Sequence, residues 1–597
     1  MKKIFLSLCL VFAVFVINAQ TNYYINAATG SNDNDGTSAD KAWKNLNGKA
    51  DVWRIADCVL NIADGEYIID SKINLAANIQ IVGTGKDKVF LMGATDDDFE
   101  EDRQGNKPFT NSGFFDVSGD KTVTIKNLTM KNLRLGDSEG TIVWGGFITV
   151  QSGNKLVMNT VDILKGELPV GGGAGIDCKG TLELTNVTIA DCIADRQGVA
   201  ISFNNTVDAK FEGCVFSNNT GASTINAYLP EVTDGLCGDL SFNNCLFENN
   251  DYSKAQYGAC VFLGNFYGKT LKYHITNSTF SENLGHSAGV LFITTSMDKT
   301  REIDMLVANS TFMNNNLTTA VHGTVYSMNA SASNTISGDI SFVNNTFYHN
   351  DRPEGVNTNS SDIFFQDMSV NFNLINNIFL TDIGSYGTVL NYNEDATKNC
   401  NPTIKGNIFE RVGGGVNELT NIANDASLNM RVGQEQVDPD PENEELGQDY
   451  IDGNTLVKLE TTLTEQGGYK APYLKLSEGS VAIDYGVKDS PLVPALDVRG
   501  QAVYNDKKDA GAYEYDGTMS SVSTFKTNNI FAYMDYNSNA IVLSETLVSI
   551  SIYSITGSTL KTIKNSSSID VSNIPSGIYL LKIVDSSGLV SSIKVQK

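Results

Sequence analysis

The sequence predicts an all-β solenoid of about 31 residues per coil, followed by a small C-terminal β-sandwich. Three observations predict it. A seven-residue unit recurs almost letter for letter, as Asn277-Ser-Thr-Phe280-Ser-Glu-Asn283, Asn309-Ser-Thr-Phe312-Met-Asn-Asn315 and Asn344-Asn-Thr-Phe347-Tyr-His-Asn350. Its large apolar anchor can be followed through Met130, Ile163, Ile189, Phe216, Phe247, Phe280, Phe312, Phe347, Phe379 and Phe409, 279 residues in nine steps. Between anchors lie short alternating stretches rich in β-branched and aromatic residues, such as Leu271-Lys-Tyr-His-Ile275 and Ile340-Ser-Phe-Val343, broken by Asn and Gly. Helical arrays of similar period need amphipathic helices, which this unit does not supply, so the repeat reads as strands. With strands ~4.8 Å apart, ten anchors correspond to a rod section roughly 45 Å long.

Within the unit, Cys214, Cys245, Ser278, Ser310, Asn345, Asn377 and Asn407 stand two residues before the anchor, so alternation puts them inside with the phenylalanines. Asn219, Asn250, Asn283, Asn315 and Asn350 stand three residues after it. An asparagine at the same bend of successive coils can take the left-handed conformation and hydrogen-bond to its copies, a ladder that Asp382 and Val412 should end. A second signature opens the next strand: Gln197-Gly198-Val199, Tyr257-Gly258-Ala259, His322-Gly323-Thr324 and Tyr386-Gly387-Thr388.

The 597 residues hold 43 Lys plus Arg against 69 Asp plus Glu, a net charge of -26. With no basic cluster, a nucleic-acid backbone would be repelled. Residues 1–19 have the basic start, apolar run and small-residue end of a secretory signal peptide, with cleavage expected after Ala19. No later stretch is apolar for the ~18 residues a transmembrane helix needs. Eight cysteines follow (Cys58, Cys178, Cys192, Cys214, Cys237, Cys245, Cys260 and Cys400), without metal-site spacing. They read as small residues filling repeat slots, with a staple between Cys214 and Cys245 as the alternative.

In chain order, Tyr23-Tyr24-Ile25 reads as a strand and Gly30 to Ser38 as a turn whose Asp33 and Asp35 are a weak calcium candidate. Then follow Val59-Leu-Asn-Ile62, Asp64-Gly-Glu-Tyr67 and Asn78-Ile-Gln-Ile81-Val82-Gly83. These steps resemble the opening coils of right-handed parallel β-helix proteins of the pectate-lyase superfamily. The resemblance implies that fold from residue 20 to about 445. The acidic run Asp96, Asp97, Asp98, Glu100 and Glu101 interrupts the strands as a solvated excursion; its alternative reading is a Ca²⁺ site, and Ca²⁺ is the chain's one cofactor candidate. Gly173 to Ile189 also resembles the repeats of polymorphic outer-membrane adhesins.

The acidic, proline-broken stretch Asp438 to Glu445 reads as a loop or linker. The segments Val481-Ala-Ile-Asp484-Tyr-Gly486, Asp497-Val-Arg499-Gly500 and Asp509-Ala-Gly-Ala-Tyr513-Glu514 resemble choice-of-anchor Q proteins, which implies coils or a cap closing the helix over 446–516. Their carboxylates around Arg499 read as a structural tie. A Ser/Thr/Asn-rich linker, 517–529, precedes 530–597. There the Tyr553-x-x-x-Gly557 turn, Pro575-Ser-Gly577-Ile-Tyr579 and the terminal Lys594-Val-Gln-Lys597 resemble the type A C-terminal sorting domain of type IX secretion. That resemblance implies the type IX machinery as partner, passage through the periplasm, and release or attachment at the outer-membrane surface.

The chemistry is less legible. Elimination from an acidic sugar needs a Lys or Arg base in a groove, but Lys254, Lys269, Lys272, Arg301, Arg352 and Arg411 fall at different coil positions. Of the paired-carboxylate signatures of polygalacturonase-like hydrolases, only Gly285-His286-Ser287 is echoed, and it reads as a turn. The sequence therefore favours a non-catalytic, adhesin-like or polysaccharide-binding surface protein. A polysaccharide lyase or glycoside hydrolase acting on an acidic polysaccharide, and a structural surface-layer protein, are the alternatives. Function is expected where the repeats disagree, near 93–114, 223–240 and 264–272.

Overall fold

The computed structural model describes residues 20–516 and 532–596, apart from 106–112, 136–142, 169, 197, 205–206, 229–235, 256–258, 265–269, 287–288, 296–299, 319–322, 331–334, 351–361, 367–368, 381–388, 393–399, 411–424, 433–456, 467–470, 504–506, 536–539, 555–557, 576–577 and 585–589. The chain divides between Tyr515 and Asp516 into two compact units.

The first unit is a parallel β-helix whose coils present three sheet faces. The first face starts earlier than the repeat, with Thr21–Ile25 against Cys58–Ile62 and that strand against Ile79–Gly83, and runs to Asn401–Lys405. The second carries the anchors, which lie in mutual register: Met130 on Ile163, Ile163 on Ile189, Ile189 on Phe216 and so on to Phe379 on Phe409. The third is an eleven-stranded sheet from Ile73–Leu75 to Val389–Tyr392.

Two corners make each coil turn, and left-handed backbone makes the corners. Between the first and second faces stand Asn127, Thr160, Asn186, Asn244, Asn277, Asn309, Asn344 and Asn376, with φ from 50° to 57°. Glycine takes that place at Gly213 and Gly406. After the second face stand Asn132, Lys165, Asp191, Asn218, Asn249, Glu282, Asn314 and His349. Asparagine dominates because its short polar side chain tolerates this region better than other non-glycine residues. The left-handed residue is therefore one position earlier than the sequence suggested: Asn218 and not Asn219, Asn314 and not Asn315.

Asn219, Asn250, Asn283, Asn315 and Asn350 instead point inward and form the ladder. Each Nδ2 donates to the next Oδ1, at 3.1, 2.8, 2.8 and 2.9 Å. Asp382 lies outside the described residues. A second inner ladder occupies the slot before the anchor, from Asn345 through Asn377 and Asn407 to Asn429, at 2.9 to 3.0 Å per rung. Between the ladders the seven anchor phenylalanines from Phe216 to Phe409 stack at 4.3 to 5.3 Å. Each buried ring contributes ~1.5–3 kcal/mol by transfer, and stacked pairs add ~0.5–1.5 kcal/mol.

Cys58, Cys178, Cys192, Cys214, Cys245, Cys260 and Cys400 are free thiols. Cys214 and Cys245 fill successive interior slots, each donating to backbone carbonyls, and burial raises the Cys245 thiol well above its ordinary value.

Residues 457–516 add no further coil to the parallel sheets among the described residues; their bridges are antiparallel, as in Leu459 with Leu476 and Thr464 with Tyr473. The segment lies along the side of the rod. Corner asparagines clamp it: Asn309 Nδ2 donates to the Leu496 carbonyl at 2.7 Å, and Asn376 exchanges two bonds with Val487, both 2.7 Å. The Thr279 hydroxyl donates to the Pro472 carbonyl. Ile378 and Ile408, outward on the second face, share an apolar cluster with Tyr473, Leu476, Val498 and Tyr513.

The second unit is a five-stranded antiparallel sheet in which the long strand Ala540–Ser554 pairs with Ala532–Asp535, Thr559–Asp570 and Ile578–Val584, and the last with Val590–Gln596. Its strands close over one core that includes Ile550, Ile552, Ile569, Leu581 and Ile583.

Candidate functional site

Of the residues singled out for calcium, Asp96, Asp98 and Glu100 have protein partners, and the Glu101 side chain lies outside the described residues. Asp96 to Gly105 form a helix in place of the expected loop, started by Thr95, whose hydroxyl donates to Asp98 at 2.7 Å. Asp96 bonds Lys131 at 2.7 Å and Asn132 at 2.8 Å, and Glu100 pairs with Lys165 at 3.0 Å. Asp96 and Glu100, four residues apart on the helix, thus each face a lysine of a neighbouring coil. Asp35 is held below the usual carboxylate range by the Thr37 backbone N–H and hydroxyl. No group of three metal-ligating His, Cys, Asp or Glu side chains occurs among the described residues.

The carboxylates around Arg499 close on themselves. Asp497 receives Arg499 Nε at 2.7 Å and the Glu514 N–H at 3.1 Å, while the guanidinium lies 4.0 Å over the Tyr513 ring. Lys508 and Glu514 form a buried pair at 2.5 Å. Asp509 receives the Asp484 N–H at 2.7 Å, and burial pushes its carboxyl up to about 7.

Of the basic candidates, Lys272 faces Asp239 at 3.9 Å, and Lys254 borders a cavity of about 290 Å³ with Asp195, Thr220 and Asp251. Lys269, Arg352 and Arg411, and the Arg301 side chain, lie outside the described residues. His286 follows the two-residue strand Leu284–Gly285. In the sorting unit, Tyr579 Oη donates to the Pro575 carbonyl at 2.5 Å, Tyr553 pairs with Leu580, and Lys594 pairs with Leu580 from the other side. Gly557, Gly577 and Lys597 lie outside the described residues.

The most unusual surface is the outer face of the third sheet. One register position runs through Asn74, Asp116, Thr149, Asp177, Ser202, Asn226, Phe262, Phe292, Ser327 and Phe364. Its neighbours along the strands, such as Ile148 and Val150 or Ile176 and Cys178, belong to the interior core, so strand alternation turns the row outward. Yet from Thr149 to Phe364 every member is buried, and Ser202, Asn226 and Ser327 are 0% exposed.

The glycine turns explain part of this burial. Gly145, Gly173 and Gly198, at φ from 73° to 90°, precede their strands and fold back over the row. A Cβ at Gly173 would stand 3.3 Å from Ser202 Cβ and 3.4 Å from Asp177 Cβ; one at Gly198 would stand 2.9 Å from Ser202. Gly198, of the recurrent glycine signature, thus builds a wall beside an outward row together with Gly145 and Gly173 of the preceding coils. The stretch 223–240, expected to be a loop, contains the strand Ser223–Tyr228, which carries Asn226.

The row's polar half is dense. Lys72 Nζ donates to Thr149 Oγ1 at 3.2 Å, Gln151 Nε2 to Asp116 Oδ1 at 3.0 Å, and Asn204 Nδ2 to Asp177 Oδ1. Burial raises the Asp177 carboxyl above its usual range, against the pull of Lys179, Asn204 and Lys72. Ser202 Oγ and both carboxamide atoms of Asn226 are buried without a hydrogen-bond partner. Buried polar groups are rarely left so, and each costs ~1–3 kcal/mol.

Sequence reasoning missed this row. The available signal was a carboxylate inside a short apolar strand, Gly175-Ile-Asp177-Cys, but aligning it with Asp116 and Ser202 needs the register of coils whose lengths differ.

Residues 112–300 match the family described as right handed beta helix region, and residues 534–596 the secretion system C-terminal sorting domain. A search of curated proteins finds no match. Among solved structures, the chain is similar to the catalytic domain of a GH87 alpha-1,3-glucanase (14% identity, 65% of this chain and 66% of that one, TM-score 0.27). It is also similar to a GH136 lacto-N-biosidase from Eubacterium ramulus (11%, 69% and 67%, TM-score 0.24) and to a mannuronan C-5 epimerase A-module from Azotobacter vinelandii (10%, 59% and 91%, TM-score 0.22). The chain spans just under two thirds of the glucanase domain's length. At TM-scores this low the likeness carries no argument about what the chain does. The chain joins a right-handed parallel β-helix to a C-terminal sorting domain of the type IX secretion pathway, which addresses it to the cell surface or the extracellular space.

Proposed function

We propose that the chain, once exported, binds an extended polysaccharide along the outer face of its third sheet. The observation that carries this reading is the row itself: polar from Asp116 to Asn226, aromatic at Phe262 and Phe292, with hydrogen-bonding groups at Ser202 and Asn226 left unpartnered. A repeat of ~4.8 Å per coil presents one polar group per rung at a spacing close to that of linked sugar residues, and hydroxyls both donate and accept. Adhesion to a surface glycan follows if the sorting unit leaves the protein on the cell.

Turnover is the second reading, and Asp116 and Asp177 favour it. They support hydrolysis over elimination, because a uronate would meet carboxylates where elimination needs a neutralising cation. The binding reading is tested by retardation of the purified protein in gels cast with neutral and with uronic-acid polysaccharides. The expected result is retardation by at least one polysaccharide, weakened about five-fold by Asn204→Ala or Gln151→Ala, the loss of ~1 kcal/mol of hydrogen bonding. Free migration in every gel overturns it.

A further inference from the structure

We propose that the outer face of the third sheet hydrolyses a neutral glycan with inversion of configuration, Asp177 protonating the leaving oxygen and Asp116 activating the attacking water. The inference rests on the polysaccharide reading of the same face, and adds the chemistry and the substrate class.

Geometry carries it. Asp116 and Asp177 occupy one register position on strands two rungs apart, with Thr149 between them. Two rungs of ~4.8 Å set their backbones ~9.6 Å apart. Inverting hydrolysis needs carboxyl groups ~6.5–9.5 Å apart, wide enough for a water beside the sugar; retaining hydrolysis needs ~5–5.5 Å. Gln151, on the Thr149 coil, holds Asp116 Oδ1 at 3.0 Å, and Asn204, on the coil beyond Asp177, holds Asp177 Oδ1, so the two acids keep about the two-rung separation. Lys72 donates to Thr149 Oγ1 at 3.2 Å, on the rung between the two acids, and its charge works against the burial that raises Asp177.

The acids also differ in environment. Asp177 is 2% exposed and held toward its protonated form by burial, as a proton donor requires. Asp116 is half-buried and nearer solvent, as a base that takes a proton from water requires.

An independent observation points to the ligand. Beyond Asp177 the row continues into Ser202 Oγ and the Asn226 carboxamide, buried and unpartnered. A hydroxyl and a carboxamide on successive rungs supply donors and acceptors without charge, which suits sugar hydroxyls. A uronate would add a carboxylate beside Asp116 and Asp177, in a chain of net charge -26. The substrate class is therefore a neutral glycan, where the enzymatic alternative read from the sequence named an acidic one.

The step balances with water alone. The proton on Asp177 passes to the glycosidic oxygen as the bond from the anomeric carbon breaks. A water oxygen bonds to that carbon from the opposite face while Asp116 takes its proton. Solvent then returns a proton from Asp116 to Asp177.

The test uses the exported chain on a panel of neutral glucans, xylans, galactans and mannans, with pectin and alginate beside them. Reducing ends, ultraviolet absorbance of unsaturated products, and the anomer first formed by proton magnetic resonance are the readouts. The expected result is cleavage of a neutral glycan with inverted anomer and no unsaturated product. Asp177→Asn and Asp116→Asn each lower the rate ~100-fold or more while still being retarded by the glycan. Retardation without cleavage anywhere in the panel overturns the hydrolysis and leaves the binding reading standing; neither retardation nor cleavage removes both. A retained anomer, or wild-type turnover by either variant, overturns the assignment of the pair.

Discussion

Asn315 shows how completely a ladder asparagine is used. Its Nδ2 donates to the Phe280 carbonyl and to Asn350 Oδ1, both at 2.9 Å, and its Oδ1 accepts from the Asn283 N–H at 3.3 Å and Nδ2 at 2.8 Å. Asn315→Ala should therefore cost about 2–4 kcal/mol, since it strands buried groups on both neighbouring coils. Denaturant unfolding checks this, and a loss under ~0.5 kcal/mol would contradict it. Phe312→Ala, which breaks the anchor stack, should cost about 3–5 kcal/mol by the same measurement. Asp509 gives a pH dependence. Burial among Asp484, Glu514 and Lys508 holds its folded-state carboxyl near 7, above the unfolded value, so the folded chain binds that proton more tightly. This contribution to stability is full below pH ~4 and is lost as pH rises through 7. Asp509→Asn should raise the melting temperature at pH 8 more than at pH 5; an equal effect at both would contradict the burial argument.

Elements differ in how far the sequence reveals them. The anchor strands were legible because Phe216, Phe247, Phe280, Phe312, Phe347, Phe379 and Phe409 repeat one residue at nearly one period, and each stacks on the next. The corner one residue beyond Ser217 was misplaced by one position, because Asn218 and Asn219 are the same residue type doing different work. The third sheet was legible only as a glycine signature: Gly198 was visible, but the Ser202 it folds over, and Asp177 beside it, were not, since their row varies in chemistry from coil to coil. Substitution at the glycine of the preceding coil tests the wall. Gly173→Ala places a Cβ against Asp177 and Ser202 at φ 73°, and should cost about 1–3 kcal/mol. It should weaken glycan retardation more than Gly500→Ala, whose Cβ meets nothing within 4 Å. Equal effects would contradict the wall.

Over the whole molecule, one rod supplies the interior and one small antiparallel unit supplies the address. The side segment 457–516 reads as closing coils in sequence because Asp497, Arg499, Asp509 and Glu514 sit in strongly patterned steps. It lies along the rod because the outward carboxamides of Asn309 and Asn376 and the outward side chains of Ile378 and Ile408, which it buries, give it partners there. Export should depend on the address alone: without residues 530–597 the chain should accumulate in the periplasm with its β-helix intact, and appearance of the truncated chain in the medium would contradict the sorting role. The claim that joins these parts is that the third sheet is where a glycan lies. Hydrogen–deuterium exchange of the exported chain, with and without a neutral oligosaccharide from the glycan that retards it, tests this most directly. Slower exchange confined to Phe115–Val117, Ile148–Val150, Ile176–Cys178, Ile201–Asn204 and Ser223–Tyr228 is the predicted result; unchanged exchange there, or protection on the first sheet face instead, would contradict it.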